Sequence, residues 1–370
     1  MGHKQVTGEK RMKVKKKLSI VSVSIFALFS IASCTPPIPP DVLASFAEKD
    51  VQCANGEVKV GSSEVAAIAV QSSIDLYLSY CPESKVTTTT DVADANLIVT
   101  DYSAKEPEMC STASVITPVM SKTSTLVYFV SGFDGLVFSP EVVQSIISGK
   151  ITNLNDPEIA ATNENFELID QPITLLGINK PSASDIAYLE WVGRQTGENV
   201  TEVSASESFD DYSALIEKLQ VTEGAFAVLP SNIIYDNVLT FSNLRIQDVD
   251  VLFETTSFGS AASQFVIEEQ GDILKAKLDP NVTPQLDAGQ ESTSAPWQGI
   301  SLFDVGMCTA DDEEQSIRKF MRFLLRLDNQ GQFETFGYFP LTESVRLKAA
   351  EIIARPLPTP SFDPENISQE

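Results

Sequence analysis

The stretch that decides the architecture runs Leu136-Val-Phe-Ser-Pro-Glu-Val-Val-Gln-Ser-Ile-Ile-Ser-Gly-Lys-Ile-Thr-Asn-Leu-Asn-Asp-Pro-Glu-Ile-Ala160. Within it, residues 141 to 148 set Val142, Val143, Ile146 and Ile147 at spacings of three and four, the signature of one buried helix face. Gly149 stops that helix, and Asn155-Asp156-Pro157 marks a turn. Ile173 to Ile178 then reads as a buried strand, followed by a helix from Ser184 to Arg194. The same alternation extends outward in both directions. Upstream, Val58-Lys59-Val60 predicts a strand ending at Gly61, and Glu64 to Tyr80 a helix with Val65, Ile68, Ala69, Ile74, Leu76, Tyr77 and Tyr80 on one face. Leu97 to Thr100 and Leu126 to Val130 are further strands. Downstream come a helix over Tyr212 to Leu219 and a strand over Ala225 to Leu229. A last helix buries Ile317, Phe320, Met321, Leu324 and Leu325, with Asp311-Asp312-Glu313-Glu314 stacked at its positive end. Strands alternating with helices of this length predict an α/β protein with largely parallel sheets.

Length and composition agree. The chain has 370 residues, 43% hydrophobic and 21% charged, enough for about two folding units. The formal charge is −25, and seven of the 26 basic residues lie before Leu18 beside a single acid, Glu9. The remainder carries 19 basic against 50 acidic residues, a surface that repels a phosphate backbone and excludes nucleic-acid binding as the main role. His3 is the only histidine and lies in that opening segment. Without it, Ser-His-Asp catalysis, Cys-His catalysis and histidine metal sites are ruled out. No metal and no cofactor are expected.

That opening segment reads as a leader. Lys13-Val-Lys-Lys-Lys17 precedes 16 uncharged residues, Leu18 to Ser33, too few for a comfortable membrane span. Residues 1–33 are therefore expected to be a signal peptide, for which Met12 is a better start than Met1. Ile31-Ala32-Ser33-Cys34 resembles the bacterial lipobox, which implies lipidation of Cys34. Residues 34–51 form a Pro-rich tether from the membrane, and 357–370 an acidic tail. Four cysteines remain, Cys53, Cys81, Cys110 and Cys308, an even number in an exported chain, which predicts two disulfides. Of the three pairings, Cys53 with Cys81 and Cys110 with Cys308 is favoured, the first because it closes one strand–helix unit. No Cys-x-x-Cys pair supports zinc instead.

Candidate function concentrates at strand-to-helix turns, where free N–H groups and about half a positive charge can hold an anion without a cationic side chain. One turn is Val60-Gly61-Ser62-Ser63-Glu64; another is Asn179-Lys180-Pro181-Ser182-Ala183-Ser184-Asp185. Both also read as helix caps, Ser182 with Asp185 in the pattern of a capping box. Asp101, closing a buried strand, reads either as a loop cap or as an acceptor for a ligand proton. Lys180 could serve as a base for Ser182 or Ser184, but Pro181 and the cap pattern give a simpler account. Trp191 and Trp297 read as core or cleft-wall aromatics.

Taken in order, several of these stretches resemble the PstS-type phosphate-binding proteins of bacterial phosphate ABC transporters. The similarity begins with the helix, Gly149, Ile151-Thr152 and Asn155-Asp156-Pro157. It continues through Glu223-Gly-Ala-Phe-Ala-Val228 and Gly331-Gln-Phe-Glu-Thr-Phe-Gly-Tyr-Phe-Pro-Leu341, spanning about residues 52 to 353. The resemblance implies a type II periplasmic-binding-protein fold, two α/β lobes joined by two hinge crossings. Lobe 1 would take 52–122 plus 243–356, and lobe 2 residues 123–242. It implies a ligand in the cleft, Ser62 and Ser63 as the first hydroxyl-bearing turn, Asp101 as acceptor of the proton of monohydrogen phosphate, and Ser182, Ala183 and Ser184 as the second-lobe loop. The sequence departs from the family at Ile178, where an Arg is usual, and at Asp185, where a neutral hydroxyl residue is usual. The stretch Val86 to Asp94 lacks the family's Gly-Ser-Gly-rich loop.

The expected function is that of a lipid-anchored solute-binding protein on the extracytoplasmic face of the cell membrane. It would be monomeric, would do no covalent chemistry, and would deliver phosphate or a related small oxyanion to ABC permease subunits. The alternative keeps the scaffold without phosphate binding, as an envelope sensor or interaction protein.

Overall fold

The computed structural model describes residues 50–101, 110, 113–284, 295–308 and 313–355. The leader, Cys34, most of the tether, Asp311, Asp312 and the acidic tail lie outside the described residues.

Chain order is β1 (Glu57–Ser62), a 3-10 turn (Glu64–Ala66), α1 (Ala67–Tyr80), β2 (Lys85–Thr89), β3 (Leu97–Asp101), β4 (Val115–Phe129), β5 (Val137–Phe138), α2 (Pro140–Ile147) and α3 (Pro157–Thr162). Then follow β6 (Thr174–Ile178), α4 (Ala183–Thr196), β7 (Glu207–Phe209), α5 (Tyr212–Leu219), β8 (Ala225–Pro230), α6 (Ser231–Asp236), β9 (Asn243–Ile246), β10 (Val249–Val251) and α7 (Thr255–Ala262). The last elements are β11 (Phe265–Gln270), β12 (Ile273–Leu278), β13 (Ile300–Met307), α8 (Glu314–Leu324), α9 (Leu327–Phe333) and α10 (Glu343–Ala354). The helix drawn from Val142, Val143, Ile146 and Ile147 forms with those four residues buried, Ser139 capping its start and Gly149 at φ 71° beyond its end.

β5, β9 and β10 form a separate three-stranded sheet, and the other ten strands join in a main sheet of order β2-β1-β3-β13-β4-β8-β6-β7, with the β11–β12 hairpin attached through β12 to β4. Its two flanks are parallel, β2-β1-β3 on one side and β8-β6-β7 on the other. The expectation of largely parallel pairing fails at the centre, where β3-β13, β13-β4 and β4-β8 all run antiparallel. The reason is β4, 15 residues and so about 50 Å long. Val115 to Thr123 pair with β13, while Ser124 to Phe129 pair with β8. One strand thus serves both flanks. The sequence reading began this strand at Leu126, eleven residues late. Pro118 and the polar run Ser121-Lys122-Thr123-Ser124-Thr125 disguise the first part, and Pro118 is tolerated because the register shifts opposite Phe303/Asp304. The hairpin β11–β12 was also not read from sequence. Most of β11 is exposed, and Gly271 at φ 65° makes its turn.

Hydrocarbon packs around each flank and beneath their junction. Tyr77 of α1 meets Phe320 and Phe323 of α8 edge-on at 5.2 and 5.0 Å. Tyr128 of β4 stacks on Phe226 of β8 at 5.6 Å. At the junction, Trp297 stacks on Tyr188 at 6.1 Å and meets Trp191 and Phe253 edge-on at 5.0 Å. Both tryptophans are buried core residues. Cys53–Cys81 and Cys110–Cys308 form the two disulfides, with Cα atoms 5.3 and 5.6 Å apart. Each stabilises by about 3–5 kcal/mol through chain entropy. The second ties Cys308, beside the Leu97 start of β3, to Cys110 just ahead of β4.

Candidate functional site

Parallel pairing of β1 with β3, in register from Val60↔Leu97 to Ser62↔Val99, brings the C-terminal ends of both strands to one edge. Ser62 closes β1, Ser63 enters the 3-10 turn before α1, and Asp101 closes β3. Across from them lies the start of α4. Asp101 Oδ2 accepts a hydrogen bond from the Ala183 N–H at 2.9 Å, so the acid of one flank holds the helix start of the other. Glu64 makes a second approach: its carboxyl is pushed up by burial and by Asp211, and held down in part by the Tyr212 amide at the start of α5.

The α4 start is fully engaged. Ser182 and Asp185 make the expected capping box, Ser182 Oγ accepting from Asp185 N–H at 3.3 Å and Asp185 Oδ2 from Ser182 N–H at 3.0 Å. The Tyr212 hydroxyl donates to Asp185 Oδ2 at 2.5 Å. Ser124 Oγ of β4 lies 2.6 Å from Asp185 Oδ1 and 2.7 Å from Ser184 Oγ, which in turn lies 2.9 Å from Ser182 Oγ. Ser182, Ser184 and Asp185 are at most 5% exposed. Burial pushes the Asp185 carboxyl up, against the pull of its hydrogen bonds and of Lys122. Burial and then Asp185 push the Tyr212 phenol well above its ordinary range. Lys180 is exposed and takes no part in this cluster.

The Ser63 turn differs. Ser63 occupies the N-cap position, but its side chain makes no capping bond, and Oγ is buried with no partner among the described residues. The capping reading therefore holds for Ser182 and fails for Ser63. Its backbone N–H donates to Val99 O at 3.1 Å, which fixes the turn against β3.

One residue at this place escaped the sequence reading. Lys122 of β4 is fully buried, and its ammonium has no hydrogen-bond partner among the described residues. It lies on the same face of β4 as Ser124, two residues on. Its Nζ sits 4.9 Å over the Phe303 ring. Burial pulls it down to about 8, opposed by the charges of Asp101 and Asp185. The available signal was a lysine inside a run of hydroxyl residues flanked by apolar strand on both sides. Among the described residues, no group of three or more His, Cys, Asp or Glu side chains is placed to hold a metal. No helix there is long and apolar enough to cross a membrane.

No protein-family model matches the chain, and no curated protein matches it. Solved structures do. A structure of the ancestral soluble variant of the human phosphate binding protein superposes with a TM-score of 0.57 at 10% identity, covering 79% of this chain and 93% of that one. A high affinity periplasmic phosphate-binding protein bound with phosphate gives 0.56 at 10% identity, covering 80% and 93%. A phosphate-binding protein from Stenotrophomonas maltophilia gives 0.52 at 12% identity, covering 80% and 94%. The chain has the two-lobed type II binding-protein fold. β4 pairs with both flanks of the sheet, and the bond between Asp101 and Ala183 joins groups from its two sides.

Proposed function

We propose that the protein is a lipid-anchored, extracytoplasmic solute-binding protein that captures phosphate or a related small oxyanion and passes it to an ABC permease. In this reading residues 52–122 plus 243–356 make one lobe and 123–242 the other, with the anion held between them as a monomer's ligand. The observation that carries it is the hydrogen bond from Ala183 N–H to Asp101. It supports the reading because the positive end of α4 holds a carboxylate oxygen supplied by the opposite flank. A hinge opening that separates the two sides frees this amide, and a ligand oxyanion replaces the carboxylate. Ser62, Ser63, Ser182 and Ser184 then supply hydroxyls, and Asp101 turns to accept the proton that a monohydrogen oxyanion still carries. The solved structures with this fold bear phosphate-binding names, which supports the same ligand class.

Isothermal titration tests this directly. Saturable heat is expected with phosphate or arsenate at or below millimolar concentration; silence with phosphate, arsenate, phosphonate and sulfate alike sinks the reading and leaves a degenerate scaffold. The anchor is tested separately: Cys34→Ser should move the protein from the membrane fraction to the medium or periplasm of a bacterial host.

A further inference from the structure

A buried ammonium without a partner is expensive. Removing an ion from water costs several kcal/mol even after relaxation, and a lysine brings three donors that need acceptors. Lys122 nevertheless lies at full burial in the strand that links both flanks, with no partner among the described residues. Asp185 acts on it through charge but makes no hydrogen bond to it, since its oxygens bind Ser124, Tyr212 and the Ser182 amide. Asp101 uses Oδ2 on Ala183. The aromatic face of Phe303 at 4.9 Å is the contact that remains, and it fixes where the ammonium points.

A second buried donor without a partner is linked to Phe303 through a chain of contacts. Phe303 packs edge-on against Tyr338 at 5.9 Å, and the Tyr338 hydroxyl donates to Val65 O at 2.7 Å. Val65 is in the 3-10 turn that Ser63 opens, and Ser63 Oγ is the other buried polar atom here without a partner. The ammonium lies within the fields of Asp101 and Asp185, and the hydroxyl stands at a helix start that prefers negative charge; both donors lack acceptors among the described residues.

We infer that Lys122 is the cation that grips the ligand's oxyanion, with Ser63 Oγ donating beside it. This rests on the solute-binding reading above and adds to it the residue that supplies the positive charge. The charged and titratable groups facing the ammonium are Asp101 on β3, Asp185 on α4 and, beside Asp101, Tyr338. A lysine kept only to balance these carboxylates would leave anion affinity unaltered when removed.

Titration of wild type, Lys122→Met and Ser63→Ala with inorganic phosphate and arsenate at neutral pH separates the possibilities. Lys122→Met is expected to weaken binding about 10–100-fold and Ser63→Ala about 2–10-fold, the ranges for charged and neutral hydrogen bonds. Between pH 8 and 10, where inorganic phosphate keeps its charge, wild-type affinity should fall as Lys122 loses its proton. Binding by wild type with unchanged affinity in Lys122→Met overturns the role of Lys122 and leaves the solute-binding reading standing. Absence of binding by wild type removes both. Should Lys122→Met fail to fold, carbon-13 NMR of lysine Cε in the wild type decides. Phosphate should shift the Lys122 resonance and raise its titration midpoint; a resonance that ignores phosphate overturns the inference.

Discussion

The two serine-bearing helix starts look alike as sequence and behave oppositely in the fold. At Ser182 the side chains of the turn are matched: the capping box closes, Tyr212 and Ser124 reach in, and Asp101 takes the Ala183 amide. At Ser63 the hydroxyl caps nothing and stays unsatisfied, with the equally unsatisfied Lys122 reached through Phe303 and Tyr338. The contrast separates structure from readiness to bind. A fully matched turn holds its helix in place, whereas buried donors without acceptors cost stability and gain it back only when something supplies oxygen atoms.

The largest expected effect falls on the matched side. Asp185→Ala strips the capping box and leaves Tyr212, Ser124 and the Ser182 amide without their acceptor. Urea unfolding should show a loss of about 3–5 kcal/mol, the range for breaking a buried charged network. A loss under about 1 kcal/mol would mean that Asp185 does not hold the α4 start.

Next comes the cost of Lys122 in the ligand-free protein. Its folded pKa of about 8 lies below the ordinary 10.5, so the folded state releases the proton first. The penalty is present in full below pH 8 and disappears as pH rises past 10.5. Relative to Lys122→Met, wild-type stability should therefore climb by about 3 kcal/mol across that window. A flat difference between the two proteins would show that the ammonium is better solvated than its burial indicates.

The smallest effects sharpen the contrast most. Ser182→Ala should lose about 0.5–2 kcal/mol, the usual value of a helix cap. Ser63→Ala should lose nothing measurable, because no hydrogen bond is broken. Equal losses at the two serines, measured by thermal or urea unfolding, would refute the distinction between them.

Much of this was legible beforehand wherever residues a few positions apart decide the outcome. The α5 limits were read at Tyr212 and Leu219 as they form, α2 was read from its apolar spacing, and the Ser182–Asp185 capping box from its two residues. Motif order carried the fold class, although overall identity to the matching structures is only 10–12%. What failed was β4, whose buried polar middle, Ser121 to Thr125, breaks the apolar pattern of a buried strand. Lys122 went unnoticed for the same reason. The missing Arg at Ile178 suggested a site without a cation, whereas the cation proposed above, Lys122, comes from a different strand.

By itself the sequence determined the periodicity of elements such as α2 and α5, the Ser182–Asp185 cap, the acidic balance and the even cysteine count, because these depend on residue type and near neighbours. Only the tertiary structure decided the antiparallel centre of the sheet, the Asp101 to Ala183 bond and the isolation of Lys122. These depend on pairing residues far apart in the chain: 82 positions separate Asp101 from Ala183. The cost of a charge is set by how much water and how many partners that pairing leaves around it.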